Sequence, residues 1–305
     1  MNNTLIKTLD WELVITGRID EFIQEVREAL STTGFFLLKN HGIPADLLQE
    51  NREQSLDFFK LPLEERMKYA FPELHGQVGY TPMNVEVGEF ATIADNKHFY
   101  HFSDLHENPV VTEVLGYTWT METLFDFYNQ LYRRLMQIVA LSLDLSEHHF
   151  DNELGNSLLR NIHYPANPTP VDDDEAVTFG GNALGMCASK HTDINHLTLL
   201  HATEPGLELW FQNQWQPVQC DPDTLVVNTG DMLWHLTAGL YKSGVHRVVC
   251  QPNVERFSCP FFGHRKPETS VVPLAHLGFY DKSVFRFKTV GEYLDHRLEK
   301  INLKT

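Results

Sequence analysis

The chain has 305 residues, 42% of them hydrophobic, which is ample for a buried core and excludes a disordered chain. Its 24 basic residues against 41 acidic ones give a net charge of -17, a field that repels nucleic acid and anionic membrane surfaces. No apolar run approaches the ~18 residues of a membrane span, and the start lacks the apolar stretch of an export signal, so neither is expected.

In chain order, Ile19, Phe22, Ile23, Val26 and Leu30 fall at helical spacing between charges, predicting an amphipathic helix over 19–33 that ends near Gly34. A strand over 35–39 follows. Asn40-His-Gly-Ile-Pro44 is a turn, with His41 read as satisfying backbone groups and not a metal, and helices are predicted over 45–59 and from Pro62. Residues 76–105 mix glycine, proline and aromatics without a clean period and read as loops and short strands. A long buttressing helix is predicted over 120–143. His149-Phe-Asp151 closes that helical stretch and reads as a solvated helix end.

From about residue 157 the texture changes to short β-rich runs between turn residues. Strands are predicted over 158–164, 197–202, 207–211, 224–228, 232–236, 247–251 and 256–262, a spacing that argues for a sandwich or barrel. The acidic run Asp172-Asp-Asp-Glu175 reads as a solvated loop. The Gly-rich stretch over 178–185 lacks dinucleotide-site spacing and is also read as a loop. A last helix is predicted over 291–301. The four cysteines, Cys187, Cys220, Cys250 and Cys259, show no Cys-x-x-Cys spacing, which fits reduced thiols in a cytoplasm.

Chemistry concentrates between Ser189 and Ser258. On a strand, His191 and Asp193 would share a face with Thr192 turned away. His246 offers a second imidazole, and two imidazoles with one carboxylate make the 2-His-1-carboxylate arrangement of non-haem Fe(II) oxygenases. About one His-x-Asp is expected by chance at this composition. What separates His191-Thr-Asp193 from the copy at His149 is the apolar, Thr-bearing run that follows it. Arg256 and Ser258 are also two apart on a predicted strand, so a guanidinium and a hydroxyl point the same way, suited to gripping a carboxylate.

His191-Thr-Asp193, Leu197-Thr-Leu-Leu200, Val226-Val-Asn228-Thr-Gly-Asp231, Tyr241-Lys-Ser243, His246-Arg-Val and Arg256-Phe-Ser258, with Thr33-Gly-Phe-Phe36 and Asn40-His-Gly-Ile43 upstream, closely resemble the isopenicillin N synthase-like family of Fe(II)/2-oxoglutarate-dependent oxygenases. The likeness covers most of the chain. It implies an α+β fold with a mainly β core, a double-stranded β-helix (jelly roll) with N-terminal helices packed on it. One oxygenase domain over 1–305 is expected, helical to about 156, jelly roll over about 157–265, and a C-terminal segment and helix over about 266–305.

The resemblance also implies Fe(II) held by His191, Asp193 and His246, and 2-oxoglutarate held by Arg256 and Ser258 with support from Tyr164. Many relatives carry Asn two residues before that Tyr, where this chain has Ile162, with Asn161 one place earlier. Consumption of 2-oxoglutarate and O2 with release of succinate and CO2 would then be coupled to hydroxylation, desaturation or cyclisation of a small molecule, for instance an amino acid or specialised metabolite. Tyr80, Lys97, His98, Tyr100 and His101 become candidate substrate contacts. Leu199, Trp234, Phe262 and Phe279 become candidates for an apolar wall. The alternatives are an isopenicillin N synthase-like oxidase working without 2-oxoglutarate, a zinc hydrolase on the same ligands, and a non-catalytic metal-bearing sensor.

Overall fold

The strand Arg256–Gly263 shows how the fold sorts its side chains, because alternate residues serve different layers. Phe257, Cys259 and Phe261 enter an apolar core under the helices, whereas Arg256, Ser258, Pro260 and Phe262 line a cavity on the opposite face. The computed structural model describes residues 5–74, 76–86, 95–166, 177–179, 182–250 and 253–300, with backbone alone at 177–179, 182–186 and 250.

The strands are β1 (Lys7–Asp10), β2 (Phe35–Lys39), β3 (Gly79–Thr81), β4 (His98–Ser103), β5 (Leu158–Tyr164), β6 (Val177–Phe179), β7 (Asn182–His191), β8 (Leu197–Ala202), β9 (Leu207–Phe211), β10 (Gln214–Pro217), β11 (Thr224–Thr229), β12 (His246–Cys250) and β13 (Arg256–Gly263). The helices are α1 (Glu12–Ile15), α2 (Ile19–Thr32), α3 (Ala45–Lys60), α4 (Leu63–Met67), α5 (Tyr117–Ser142), α6 (Asp231–Leu236) and α7 (Val290–Lys300). None is long and apolar enough to cross a membrane.

Two sheets form the jelly roll. The larger runs β1-β2-β11-β8-β13-β5-β4-β3 and the smaller β10-β9-β12-β7-β6. Phe35 and Leu37 of β2, Val226 of β11 and Ile162 of β5 meet Ala188, Leu209 and Val248 of the smaller sheet in an inter-sheet core. Phe36, Leu38, Leu225, Val227 and Phe261 face the other way, against α2, α3 and α5. Each such buried apolar side chain contributes about 1.5–3 kcal/mol by leaving water. The N-terminal part is therefore not purely helical, since β1 to β4 complete the large sheet.

Two expected elements differ. Residues 232–236, expected as a strand, form α6. Five consecutive apolar or aromatic-rich residues carry no period that separates a buried strand from a buried helix. The helix is favoured because Gly230 N–H donates to the His196 carbonyl, Asp231 N–H to that of Asp193 and Met232 N–H to that of Ile194, satisfying its first donors. Gly230 is required there, as a Cβ would lie 2.1 Å from the Asn195 carbonyl oxygen. The Gly-rich stretch expected as a loop instead supplies β6 and the start of β7, which pair antiparallel. The acidic run at 172–175 lies outside the described residues. His149 is exposed, as expected of a helix end, and His41 Nδ1 accepts the Ile43 N–H. Cys220 and Cys259 are free thiols, but Cys187 is disulfide-bonded, a departure from the expected reduced set.

Candidate active site

β7 ends at His191, so Asp193 is not its strand partner by pleat; the chain has already left the sheet. The shared direction has another cause. Thr192 turns away and donates its hydroxyl to Asp231 Oδ2 at 3.0 Å, while the Asp193 side chain is drawn toward the large sheet. There Asp193 Oδ2 accepts from Thr198 Oγ1 at 2.6 Å and from Asn228 Nδ2 at 2.8 Å. Its other oxygen, Oδ1, lies 3.9 Å from His191 Nε2 and 3.8 Å from His246 Nε2. His246 of β12 pairs directly opposite His191.

Both imidazoles are oriented by their own backbone. His191 Nδ1–H donates to the Ser189 carbonyl at 2.7 Å and His246 Nδ1–H to the Gly244 carbonyl at 3.0 Å, so each ring presents the Nε2 lone pair inward. Burial, then His246 alongside, lowers the His191 pKa to about 4. Burial pushes Asp193 up, but the two histidines and the two side-chain donors outweigh it, and its pKa is lowered. Two imidazoles and one carboxylate, with ligand atoms all within 4.8 Å of one another, form a donor set that fits a ferrous ion.

The floor of the cavity comes from β13 and β5, where Arg256 pairs with Tyr164 and Ser258 with Ile162. Arg256 is 2% exposed, and among the described residues no oxygen or nitrogen hydrogen-bonds its guanidinium. Its neighbours are the Tyr164 ring, centred 5.2 Å from Cζ, and the Cys220 thiol, whose pKa burial raises and Arg256 lowers. A buried guanidinium left this way costs several kcal/mol unless an anion joins it. Arg256, Ser258, Tyr164 and the three candidate ligands all line one cavity of about 160 Å³. Ile162, two places before Tyr164, faces that cavity, while Asn161 points to the helices and hydrogen-bonds Asn51 and Ser55.

The wider candidates divide by strand face. Lys97 reaches the cavity, and His101 stands one layer behind it, accepting from Arg160 Nε. Tyr80, His98 and Tyr100 are on the far side, in an aromatic cluster with Phe58 and Phe59, and do not line the cavity. Of the apolar candidates only Phe262 lines it. Leu199 packs under the helices, Trp234 lies tilted against Phe285, and Phe279 is fully exposed. Sequence reading missed Arg160, Glu86 and His264 as lining residues. Arg160 was legible in principle, being even-numbered on β5 with Ile162 and Tyr164.

Residues 155–265 match the 2OG-Fe(II) oxygenase superfamily, and residues 6–117 match the N-terminal family named for a non-haem dioxygenase in morphine synthesis. A 2-oxoglutarate-Fe(II) type oxidoreductase, hxnY, of Emericella nidulans is 30% identical over 81% of this chain and 75% of its own length. Clavatol oxidase of Penicillium crustosum is 30% identical over 91% and 90%. Among solved structures, a full-length Neurospora crassa protein in complex with alpha-KG superposes with a TM-score of 0.81 at 25% identity, covering 98% of this chain and 97% of that one. A 2OG-Fe(II) oxygenase family protein from Caulobacter crescentus does so with a TM-score of 0.81 at 28% identity, covering 98% and 100%.

Proposed function

This chain belongs to the 2OG-Fe(II) oxygenase superfamily, and from that premise we propose how its residues divide the work. It is a non-haem, Fe(II)- and 2-oxoglutarate-dependent dioxygenase. We assign His191, Asp193 and His246 to the iron, and Arg256, Ser258 and Tyr164 to the 2-oxoglutarate. Bound together, metal and co-substrate supply the oxidising power for attack on a substrate C–H bond, with O2 consumed and succinate and CO2 released.

The protein's part is to hold and to exclude. Thr198 and Asn228 occupy one Asp193 oxygen and so aim the other at the two imidazoles. Arg256 supplies a charge-assisted fork, and Ser258 a hydroxyl, on the cavity wall beneath the triad. Ile162, Leu200 and Val248 keep that end of the cavity apolar, which strengthens every polar contact made there. The observation that carries this reading is the buried guanidinium of Arg256 beside the triad, which meets no carboxylate among the described residues. An isopenicillin N synthase-like oxidase without 2-oxoglutarate, a zinc hydrolase and a non-catalytic sensor are not favoured, because the matched relatives are 2-oxoglutarate enzymes.

The primary substrate is proposed to be a small molecule, and this finer claim rests on the cavity beside the triad and on relatives such as clavatol oxidase. One domain and a cytoplasmic setting belong to the same proposal; the free Cys220 and Cys259 support that setting, and the disulfide at Cys187 opposes it. The test is anaerobic titration of Fe(II)-loaded protein with 2-oxoglutarate. A visible charge-transfer band is expected, and it should weaken in Arg256→Ala. Iron binding without any such band would overturn the assignment.

A further inference from the structure

The cavity has a second polar wall, away from Arg256, that the co-substrate assignment leaves unused. It is built from two basic and two acidic side chains in ion-pair contact. Lys97 Nζ lies 2.8 Å from Asp95 Oδ2 and 3.5 Å from Glu86 Oε1, and Arg160 Nη1 lies 3.1 Å from Glu86 Oε2. All four line the cavity, and the Lys97 side chain is only 6% exposed. The Arg160 guanidinium is wedged between the rings of Phe99, 4.1 Å from Cζ, and Phe262, 5.1 Å away. Asp95 is fixed in turn by the Ser189 N–H and hydroxyl, two residues before His191.

The charges on this wall cancel. Two cations face two carboxylates, each cation within ion-pair distance of at least one. Burial raises the Glu86 pKa, but Arg160 and Lys97 outweigh it and bring it to about 2, so this carboxylate is ionised at neutral pH. His101, behind Arg160, is held neutral by burial and by that arginine. His264, also on the cavity, is brought by burial to about 4 and is neutral as well. Arg297 faces Asp231. On the assigned side, a ferrous ion with Asp193, together with Arg256, matches the two negative charges of 2-oxoglutarate. Among the described residues the loaded cavity has no charge left over.

We propose that the primary substrate is a small molecule with no net charge, whose hydrogen-bonding edge faces Arg160, Lys97 and Glu86 and whose apolar remainder lies on Leu158, Phe262, Leu294 and Leu298. This rests on the assignment of iron and 2-oxoglutarate made above. A wall carrying both ion-paired donors and a carboxylate acceptor suits amides, lactams, phenols and alcohols. A carboxylate or phosphate would bring an unmatched charge beside Glu86 and Asp95, which is unfavourable where water is scarce.

The test uses anaerobic calorimetry on protein loaded with Fe(II) and 2-oxoglutarate, with benzamide against benzoate and indole-3-acetamide against indole-3-acetate. In each pair the amide is expected to bind about tenfold tighter or better. Glu86→Gln removes one carboxylate, so the preference should fall about tenfold or reverse, and the double variant Glu86→Gln with Arg160→Gln should restore it. If Glu86→Gln fails to fold, Asp95→Asn makes the same charge change. Tighter binding of the carboxylates to the parent protein, an unchanged preference in the charge variants, or no binding of either amide at about 10 mM overturns the proposal. The charge-transfer band with 2-oxoglutarate alone is recorded on every sample, so loss of the co-substrate reading is seen separately.

Discussion

His246 stands directly opposite His191 in the antiparallel pairing of β12 and β7, with ring centroids 4.3 Å apart. The pairing sets the imidazoles, so the carboxylate is the adjustable member of the triad. Asp193→Ala is expected to lower iron-dependent succinate release by at least about 100-fold, and Thr198→Val to weaken Fe(II) binding by about 10–100-fold, since an orienting partner is lost. Metal titration of the two variants checks both, and parent-like affinity in Asp193→Ala would remove it from the ligand set.

Arg256→Met should change two quantities in opposite directions. Without its anion the buried guanidinium has no oxygen or nitrogen partner among the described residues, so the variant is expected to be more stable by about 1–3 kcal/mol in the absence of 2-oxoglutarate. Affinity for 2-oxoglutarate should fall by about 100-fold or more, as charge-assisted bonds of about 1.5–3 kcal/mol each are lost. Thermal unfolding with and without the co-substrate measures both. A less stable unliganded variant would mean that Arg256 already has a structural anion.

Asp231 ties three segments together. It accepts from Thr192, from Ser243 at 2.5 Å and from Arg297 of α7. Burial raises its pKa, with Arg297 acting against that. Asp231→Ala is expected to cost about 3–5 kcal/mol because buried Arg297 loses this carboxylate and Thr192 and Ser243 lose their acceptor. Adding Arg297→Met should recover part of the loss, and chemical denaturation of the single and double variants reads the coupling.

Acid should destabilise the fold from well above the carboxylate range. Burial, with His201 nearby, lowers His41 to about 4, and burial, with His163 and Arg66, lowers His98 to about 3. Both are neutral when folded and bind protons near pH 6.5 when unfolded. Stability is therefore full above about 6.5 and declines as pH falls toward those values, by up to about 1.4 kcal/mol per pH unit per histidine. Unfolding free energy between about pH 7 and 4.5 should show this slope, and His41→Asn should lessen it.

The strand faces around the site follow from period-two reading, and this is why Arg256 with Ser258 could be paired from sequence. The same rule applied to Leu199 would have excluded it, since Thr198 and Leu200 are the residues on the cavity side. Other features were not legible locally. Met232 to Leu236 is largely apolar and without a period that picks either conformation, and the backbone donors given to His196, Asp193 and Ile194 favour the helix. Arg160 and Glu86 lie 74 positions apart and meet only when the β4 and β5 edge of the sheet is built.

The triad also spans the two layers of the jelly roll. His191 and His246 belong to the smaller sheet, whereas Asp193 is anchored to β8 and β11 of the larger one through Thr198 and Asn228. A bound ferrous ion would therefore act as a rivet through both layers, resisting their separation in proportion to the logarithm of the iron concentration over its dissociation constant. Iron scarcity would then show as faster proteolysis of the protein as well as lost turnover.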